Sequence, residues 1–219
     1  MEEIETNTIK KAWLDLLDYV FWNGDITDDE RGDKVHECLN TTVKITPFSE
    51  ITYDPRYDIP KGCVWTYDRL EEYSKEFIEG ENPQGFVYTY GERLRRPYDQ
   101  IRAVIDKLNN NKESRRATCT TWQPENDLTS EDVPCMILLD FKIRKYELNI
   151  TGVWRSHDIY GAWFPNLIGL YSLANFISKE CDKCVGINQI TVHSISAHIN
   201  ENNIEETRRI LEMNGYDAG

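Results

Sequence analysis

Nowhere in its 219 residues does this chain carry an apolar run approaching the roughly 20 residues that cross a bilayer, so no transmembrane helix is expected. Missing too are the basic and apolar parts of a signal peptide. The sequence opens on the acidic MEEIETN, and a cytoplasmic protein is expected. Positive charge is short: 25 Lys and Arg stand against 38 Asp and Glu, giving a formal charge of -13. A protein that grips phosphate backbones regardless of sequence needs the opposite balance, so bulk nucleic acid is not an expected partner. There is neither a G-x-G-x-x-G turn nor a P-loop, which removes the usual dinucleotide and triphosphate cradles. The six cysteines (Cys38, Cys63, Cys119, Cys135, Cys181 and Cys184) are scattered through a chain large enough to fold without staples, and reduced thiols are expected. The pair in CDKC, Cys181 and Cys184, has no second CxxC or His pair near it. It reads as a turn, and no metal site is expected.

What is there is ordinary globular composition, 40% hydrophobic with 11% aromatic residues, enough for one domain over residues 1–219. Ile9, Trp13, Leu16, Leu17, Val20 and Phe21 recur at helical spacing, so the chain is expected to open with an amphipathic helix, followed by an acidic surface loop, NGDITDDERGDK. CLNTTVKITPF reads as a strand and TYDRLEEYSKEFIEG as a helix closed by Gly80. In PYDQIRAVIDKL, Pro97 marks a helix start and Ile101, Val104, Ile105 and Leu108 share one face. Three strand-like stretches follow, RATCTTWQ, PCMILLDFKIR and YELNITGVWRS, with Cys135 at the first end of the middle one. NLIGLYSLANFISKE reads as a buried helix and INQITVHSISAHI as a strand. NIEETRRILEMNG reads as a helix capped by Asn203, with Glu206 three residues on and Gly215 after it. The mixture implies an α+β domain on an antiparallel or mixed sheet.

Residues 92–116 reverse the acidic balance, with eight Arg/Lys against four Asp/Glu, and end in adjacent Arg115 and Arg116, whose guanidinium forks suit phosphate oxygens. Cys135 follows Pro134 at a strand start, where a thiolate needs nearby cations to lower its pKa. The loop WRSHDIYGAWFPNL offers Arg155, Ser156, Asp158 and Asn166: a cation and hydroxyl for phosphate, a carboxylate, and an amide for a base edge.

The motifs YGERLR, YDQI, SRRAT, W-x-P, PC, R-S-x-D and H-I-N fall in the order and approximate spacing of the thymidylate synthase family, which this chain resembles from about Tyr88 to Asn200. The most specific element is Pro134-Cys135, then Arg155-Ser156-x-Asp158, then Asn166. This resemblance implies a mixed sheet covered by helices whose open face pairs two copies into a homodimer. It implies reductive methylation of dUMP to dTMP, with Cys135 adding to C6 of the ring and 5,10-methylenetetrahydrofolate or a tetrahydromethanopterin-type pterin supplying the methylene. Arg155 and Ser156 would hold the 5′-phosphate with Arg115 and Arg116 of the second copy, and Arg31 is a further candidate there. Asn166 would read uracil, His198 and Asn200 would lie at the ribose, Asp158 at the pterin, and Tyr90 in the water network at C5.

For the acid/base carboxylate the candidate is Glu72, one residue out of register with Gly80, with Glu76 as rival. Met136, Trp154 and Asn200 stand where the family has His, Gln and Tyr, and no long closing tail follows GYDAG. A pyrimidine hydroxymethylase, with water in place of hydride, and a catalytically idle nucleotide-binding regulator are the alternatives.

Overall fold

The computed structural model describes residues 3–46, 54–82 and 85–219. Along the chain these form β1 (Glu3–Thr6), α1 (Ile9–Asn23), β2 (Asp25–Asp28), β3 (Lys34–Ile45), α2 (Tyr67–Glu79), α3 (Tyr90–Arg95), α4 (Gln100–Asn110), β4 (Thr118–Thr120), α5 (Pro124–Asp127), β5 (Met136–Arg144), β6 (Glu147–Trp154), β7 (His157–Asp158), α6 (Trp163–Glu180), β8 (Gly186–Asn200) and α7 (Ile204–Met213). The sheet runs β1-β3-β8-β6-β5-β4, with β2 paired to β3 and β7 to β8. It is mixed: β1 lies parallel to β3, and β6 and β7 parallel to β8, while β3–β8, β5–β6 and β4–β5 are antiparallel. This is the helix-covered mixed sheet expected for the thymidylate synthase fold.

Burial follows the apolar pattern. Ile9, Trp13, Leu16, Leu17 and Val20 of α1 are buried, and Thr8 caps the helix by accepting from Lys11 N at 3.1 Å. Helix α6 is apolar on nearly every face because it lies between the sheet and α2. Gly169 makes that packing possible: a Cβ there would stand 2.6 Å from the Phe77 ring. Helix α2 ends as its sequence implies, with Gly80 in the left-handed region at φ 72°.

The expectations fail where local signals compete with long-range pairing. The chain opens on strand β1, not a helix, because Glu3–Thr6 finds a parallel partner in Thr42–Ile45. The acidic loop contains β2, which forms a hairpin with the start of β3. Pro97 lies outside α4, which begins at Gln100 with the Asp99 carboxylate accepting from Arg102 N at 2.9 Å. The strand expected over RATCTTWQ shrinks to β4, since Gln123 already leads into α5. Asn203 makes no side-chain cap, because a 3₁₀ turn over Glu201–Asn203 already holds it in a helical conformation. The CDKC segment is a turn, with Cys184 N donating to Cys181 O at 3.0 Å. Pro47 and Phe48, read as the end of a strand, lie outside the described residues.

A buried ion pair anchors α3, the helix that carries Tyr90. Arg93 Nη2 donates to Asp127 Oδ1 at 2.8 Å and Arg93 Nη1 to Oδ2 at 3.2 Å, while Gln123 N donates to Oδ2 at 2.7 Å. The Asp127 side chain has no exposed surface. Asp127→Ala strands a largely buried guanidinium, and a loss of about 3–5 kcal/mol is expected in urea unfolding.

Candidate active site

Strand β5 starts immediately after Cys135, and a bulge between Met136 and Leu138 disturbs its register against β6. The thiol is half-buried and Arg155 is its nearest cation. Arg155 Nε donates to Pro134 O at 3.1 Å and Nη2 to Val133 O at 3.0 Å, which brings Nη2 to 4.0 Å from Cys135 Sγ. Burial pushes the thiol up, Arg155 pulls it down, and Asp158 and Glu30 push it up again. A single chain therefore leaves this cysteine short of positive charge.

Cys135 lines a cavity of about 460 Å³ together with Arg31, Arg155, Ser156, His198 and Asn200, so six of the residues expected at a nucleotide site converge. Carboxylates outnumber cations on its walls: Asp28, Asp29, Glu30, Glu37, Glu131 and Asp132 face Arg31 and Arg155. Tyr88 and Asp132 also line a second cavity of about 390 Å³, so the two adjoin. The second is more apolar, with Phe77, Phe86, Val87, Tyr90 and Ala162 on its walls, and Asn166 and Glu76 at its edge. Its size and character suit a flat heterocycle.

The loop between β7 and α6 aims Asn166. Trp13 Nε1 donates to Ile159 O at 2.6 Å and Trp65 Nε1 to Gly161 O at 2.9 Å, while Asp158 Oδ1 accepts from Gly161 N at 3.1 Å. Asp158 braces this turn and is on the wall of neither cavity. Glu72 is likewise on neither wall, whereas Glu76, one turn further along α2, reaches the second. Burial raises the Glu76 carboxyl, and the charge of Glu72 raises it further. Tyr90 accepts from Met136 N at 3.3 Å, tying α3 to the strand that follows the cysteine. Arg115 and Arg116 line a separate depression with Lys107, Asn110 and Glu113, sharing no residue with the cysteine cavity.

Sequence reading missed the partners of Asn166. The residue in register with Gly80 is Tyr73, whose hydroxyl donates to Asn166 Oδ1 at 2.7 Å. Asn166 Nδ2 lies 3.1 Å from His157 Nε2, and His157 Nδ1 lies 3.0 Å from Ser194 Oγ. His157 occupies the variable position of R-S-x-D and stacks on Trp154, one of the departures from the family pattern, at 4.7 Å and 7°.

His157 is fully buried, and desolvation, helped by the charge of His198, holds its pKa well below the ordinary 6.5. The unfolded chain therefore takes up a proton below 6.5 that the folded chain refuses, so acidification favours unfolding. The melting temperature is expected to fall from about pH 6.5 toward 5, with this residue contributing up to about 1.4 kcal/mol per pH unit, and less steeply in His157→Leu.

A mixed sheet covered by helices, with one cysteine beside an arginine at a cavity, is the fold of the thymidylate synthase class. The thymidylate synthase family matches residues 61–218, and the chain belongs to that family. It is 43% identical over 221 residues to a protein of Methanothermobacter marburgensis provisionally named a thymidylate synthase, covering 96% of this chain and 98% of that one. A similarly named protein of Methanothermobacter thermautotrophicus is 45% identical over 220 residues, covering 95% and 98%. One from Methanococcoides burtonii is 41% identical over 213 residues, covering 95% and 94%. Among the described residues no helix is long and apolar enough to cross a membrane, and no cluster of side chains could hold a metal ion.

Proposed function

We propose that this chain is a thymidylate synthase, a methyltransferase that converts dUMP to dTMP as one catalytic domain working in the cytoplasm. The observation that carries the reading is the convergence of Cys135, Arg155, Ser156, His198, Asn200 and Arg31 on one cavity that adjoins the cavity holding Asn166. Arg155, Ser156 and Arg31 hold the 5′-phosphate, while His198 and Asn200 contact the sugar. Cys135 adds to C6 of the pyrimidine, moving an electron pair through C5 onto O4, where the free N–H of Asn166 stabilises the charge. A reduced pterin, 5,10-methylenetetrahydrofolate or a tetrahydromethanopterin-type carrier, supplies the one-carbon unit and the hydride. Phe86, Val87 and Tyr88 give it an apolar wall beside C5, with Asp158 bracing the loop at its edge. Glu76 and Tyr90 then handle the C5 proton, and the thiolate leaves as the ring regains its double bond.

Glu76 takes the acid/base role in preference to Glu72 because it faces the cavity with a raised pKa. Glu76→Gln is expected to lower kcat by about 10²-fold or more. Glu72→Gln should have a smaller effect and move the pH profile to the acid side, since it removes the charge that raises Glu76. An inverted order of the two variants would return the role to Glu72.

Homodimerisation completes the site in this reading. A phosphate dianion among six carboxylates and two arginines needs more positive charge, and so does a thiol raised by burial. Arg115 and Arg116 of a second copy supply both if two chains pair through their open sheet faces.

Mass spectrometry of the nucleotide after incubation with dUMP and methylenetetrahydrofolate tests the whole reading. A gain of one methyl group supports it. A hydroxymethyl product would make the chain a hydroxymethylase, and no product here or in a parallel incubation with a methylene-carrying tetrahydromethanopterin-type pterin would overturn it.

A further inference from the structure

Strands β3 and β8 run antiparallel, with Val35 opposite Asn200, Glu37 opposite His198 and Leu39 opposite Ser196. Side chains two residues apart along a strand share a face, and directly paired residues share it too. Val35, Glu37, Ser196, His198 and Asn200 therefore project to one side of the sheet, and all five line the cysteine cavity. The Ser196 hydroxyl donates to Glu37 Oε1. This holds the carboxylate on a strand that is paired along both edges, to β2 and to β8. Asp25, opposite Glu37 on β2, is a second carboxylate and does not line the cavity. Among the described residues Glu37 Oε2 receives no hydrogen bond, and the side chains of His198 and Asn200 make none either. Three polar groups on one strand pair are thus left uncommitted at the cavity wall.

The parts of a pyrimidine nucleotide match these groups unequally. Phosphate oxygens have no proton to give and are repelled by a carboxylate. The base edge belongs to Asn166 in the adjoining cavity, beyond Tyr88 and Asp132. A sugar hydroxyl remains, which donates to one group while accepting from another. An ionised carboxylate only accepts, so the direction of its bond is fixed whichever tautomer His198 adopts and whichever way the Asn200 amide turns. The other five carboxylates of the wall come from the end of β2, the turn after it and Glu131–Asp132, so Glu37 alone is paired with His198.

We propose that Glu37 is a specificity-determining residue that accepts a hydrogen bond from the 3′-hydroxyl of the bound nucleotide, beside His198 and Asn200. This rests on the reading above in which the cavity holds dUMP, whose 3′-hydroxyl is the one free hydroxyl on its sugar. A bond to a carboxylate is stronger than one between neutral groups, and a nucleotide without the hydroxyl leaves Glu37 desolvated and unpaired.

Calorimetric affinities for dUMP and for 2′,3′-dideoxyuridine 5′-monophosphate, in wild type, Glu37→Ala and Glu37→Gln, test this. Wild type is expected to favour dUMP by about tenfold or more, and that ratio is expected to drop by about tenfold in Glu37→Ala. Glu37→Gln keeps an uncharged acceptor and should retain part of the ratio. Removing a negative charge near the phosphate strengthens binding of both nucleotides alike, and loss of a merely structural brace on Ser196 weakens both alike, so the ratio isolates the hydroxyl. A ratio unchanged in Glu37→Ala, or in Glu37→Gln if the alanine variant does not fold, overturns the inference. Equal affinity of wild type for the two nucleotides also overturns it, while leaving the thymidylate reading intact. A wild-type chain that binds neither nucleotide sinks that reading and this inference with it.

Discussion

Cys135→Ala is expected to reduce dTMP formation by at least about 10³-fold while leaving dUMP binding in place. The two halves of that result rest on different atoms. Turnover needs a covalent bond to C6, because an uncharged pyrimidine does not become nucleophilic at C5 without electron density delivered from the neighbouring carbon. Alanine cannot form the bond, and no other thiol lines either cavity. Binding in the proposed site draws on Arg155, Ser156 and Asn166, and Arg155 is held by the carbonyls of Pro134 and Val133, which the substitution does not touch. Stabilisation of the variant by dUMP in a thermal melt, equal to that of wild type at the same concentration, checks the second half through mass action on the folded state. Turnover that survives would remove Cys135 from the chemistry. A loss of both turnover and stabilisation would mean that the thiol holds the cleft together.

Asn166→Asp is expected to invert base preference, lowering the dUMP/dCMP ratio of kcat/KM by about 10²-fold or more. A site that hydrogen-bonds a defined donor and acceptor rejects the analogue with the pattern reversed, because its own buried groups are left unpaired. A carboxyl group accepts from the cytosine amino group and, carrying a proton, donates to cytosine N3, whereas the same pattern sets an acceptor against uracil O4. The substitution also forces its neighbours to change: with Oδ in place of Nδ2, His157 Nε2 has to donate, and the Ser194 hydroxyl has to give its proton to Nδ1. Steady-state kinetics on both nucleotides decide the matter, and a ratio that stays at the wild-type value would take base reading away from this position.

Much of this was legible in the chain. The periodicity of α1 and α4 is carried by neighbours three and four residues apart, and all of the residues read from it except Phe21 are buried. Glycine after α2 acts through a hydrogen bond within one turn of the helix. Short-range rules cover such cases well. Strands β1 and β2 escaped notice because four polar residues become a strand only when a distant partner offers its edge. Pro97 misled for a related reason: Asp99, two residues later, captured the helix start.

For the site, the sequence by itself picked out Cys135, the R-S-x-D loop and Asn166 as candidates, because residue type and fixed local spacing carry the family resemblance. The excess of 38 Asp and Glu over 25 Lys and Arg was legible too, but that six carboxylates line the cysteine cavity was not. Only the tertiary structure decided that Glu76 rather than Glu72 faces the cavity, since a step of four residues along α2 brings back almost the same face and the packing of that helix on α6 sets which direction opens inward. It alone joined Tyr73, Asn166, His157 and Ser194, which come from a helix, a second helix and two strands. Hydrogen bonds between side chains so far apart in the chain depend on where the backbone has already been placed, and no local pattern of residues encodes that placement.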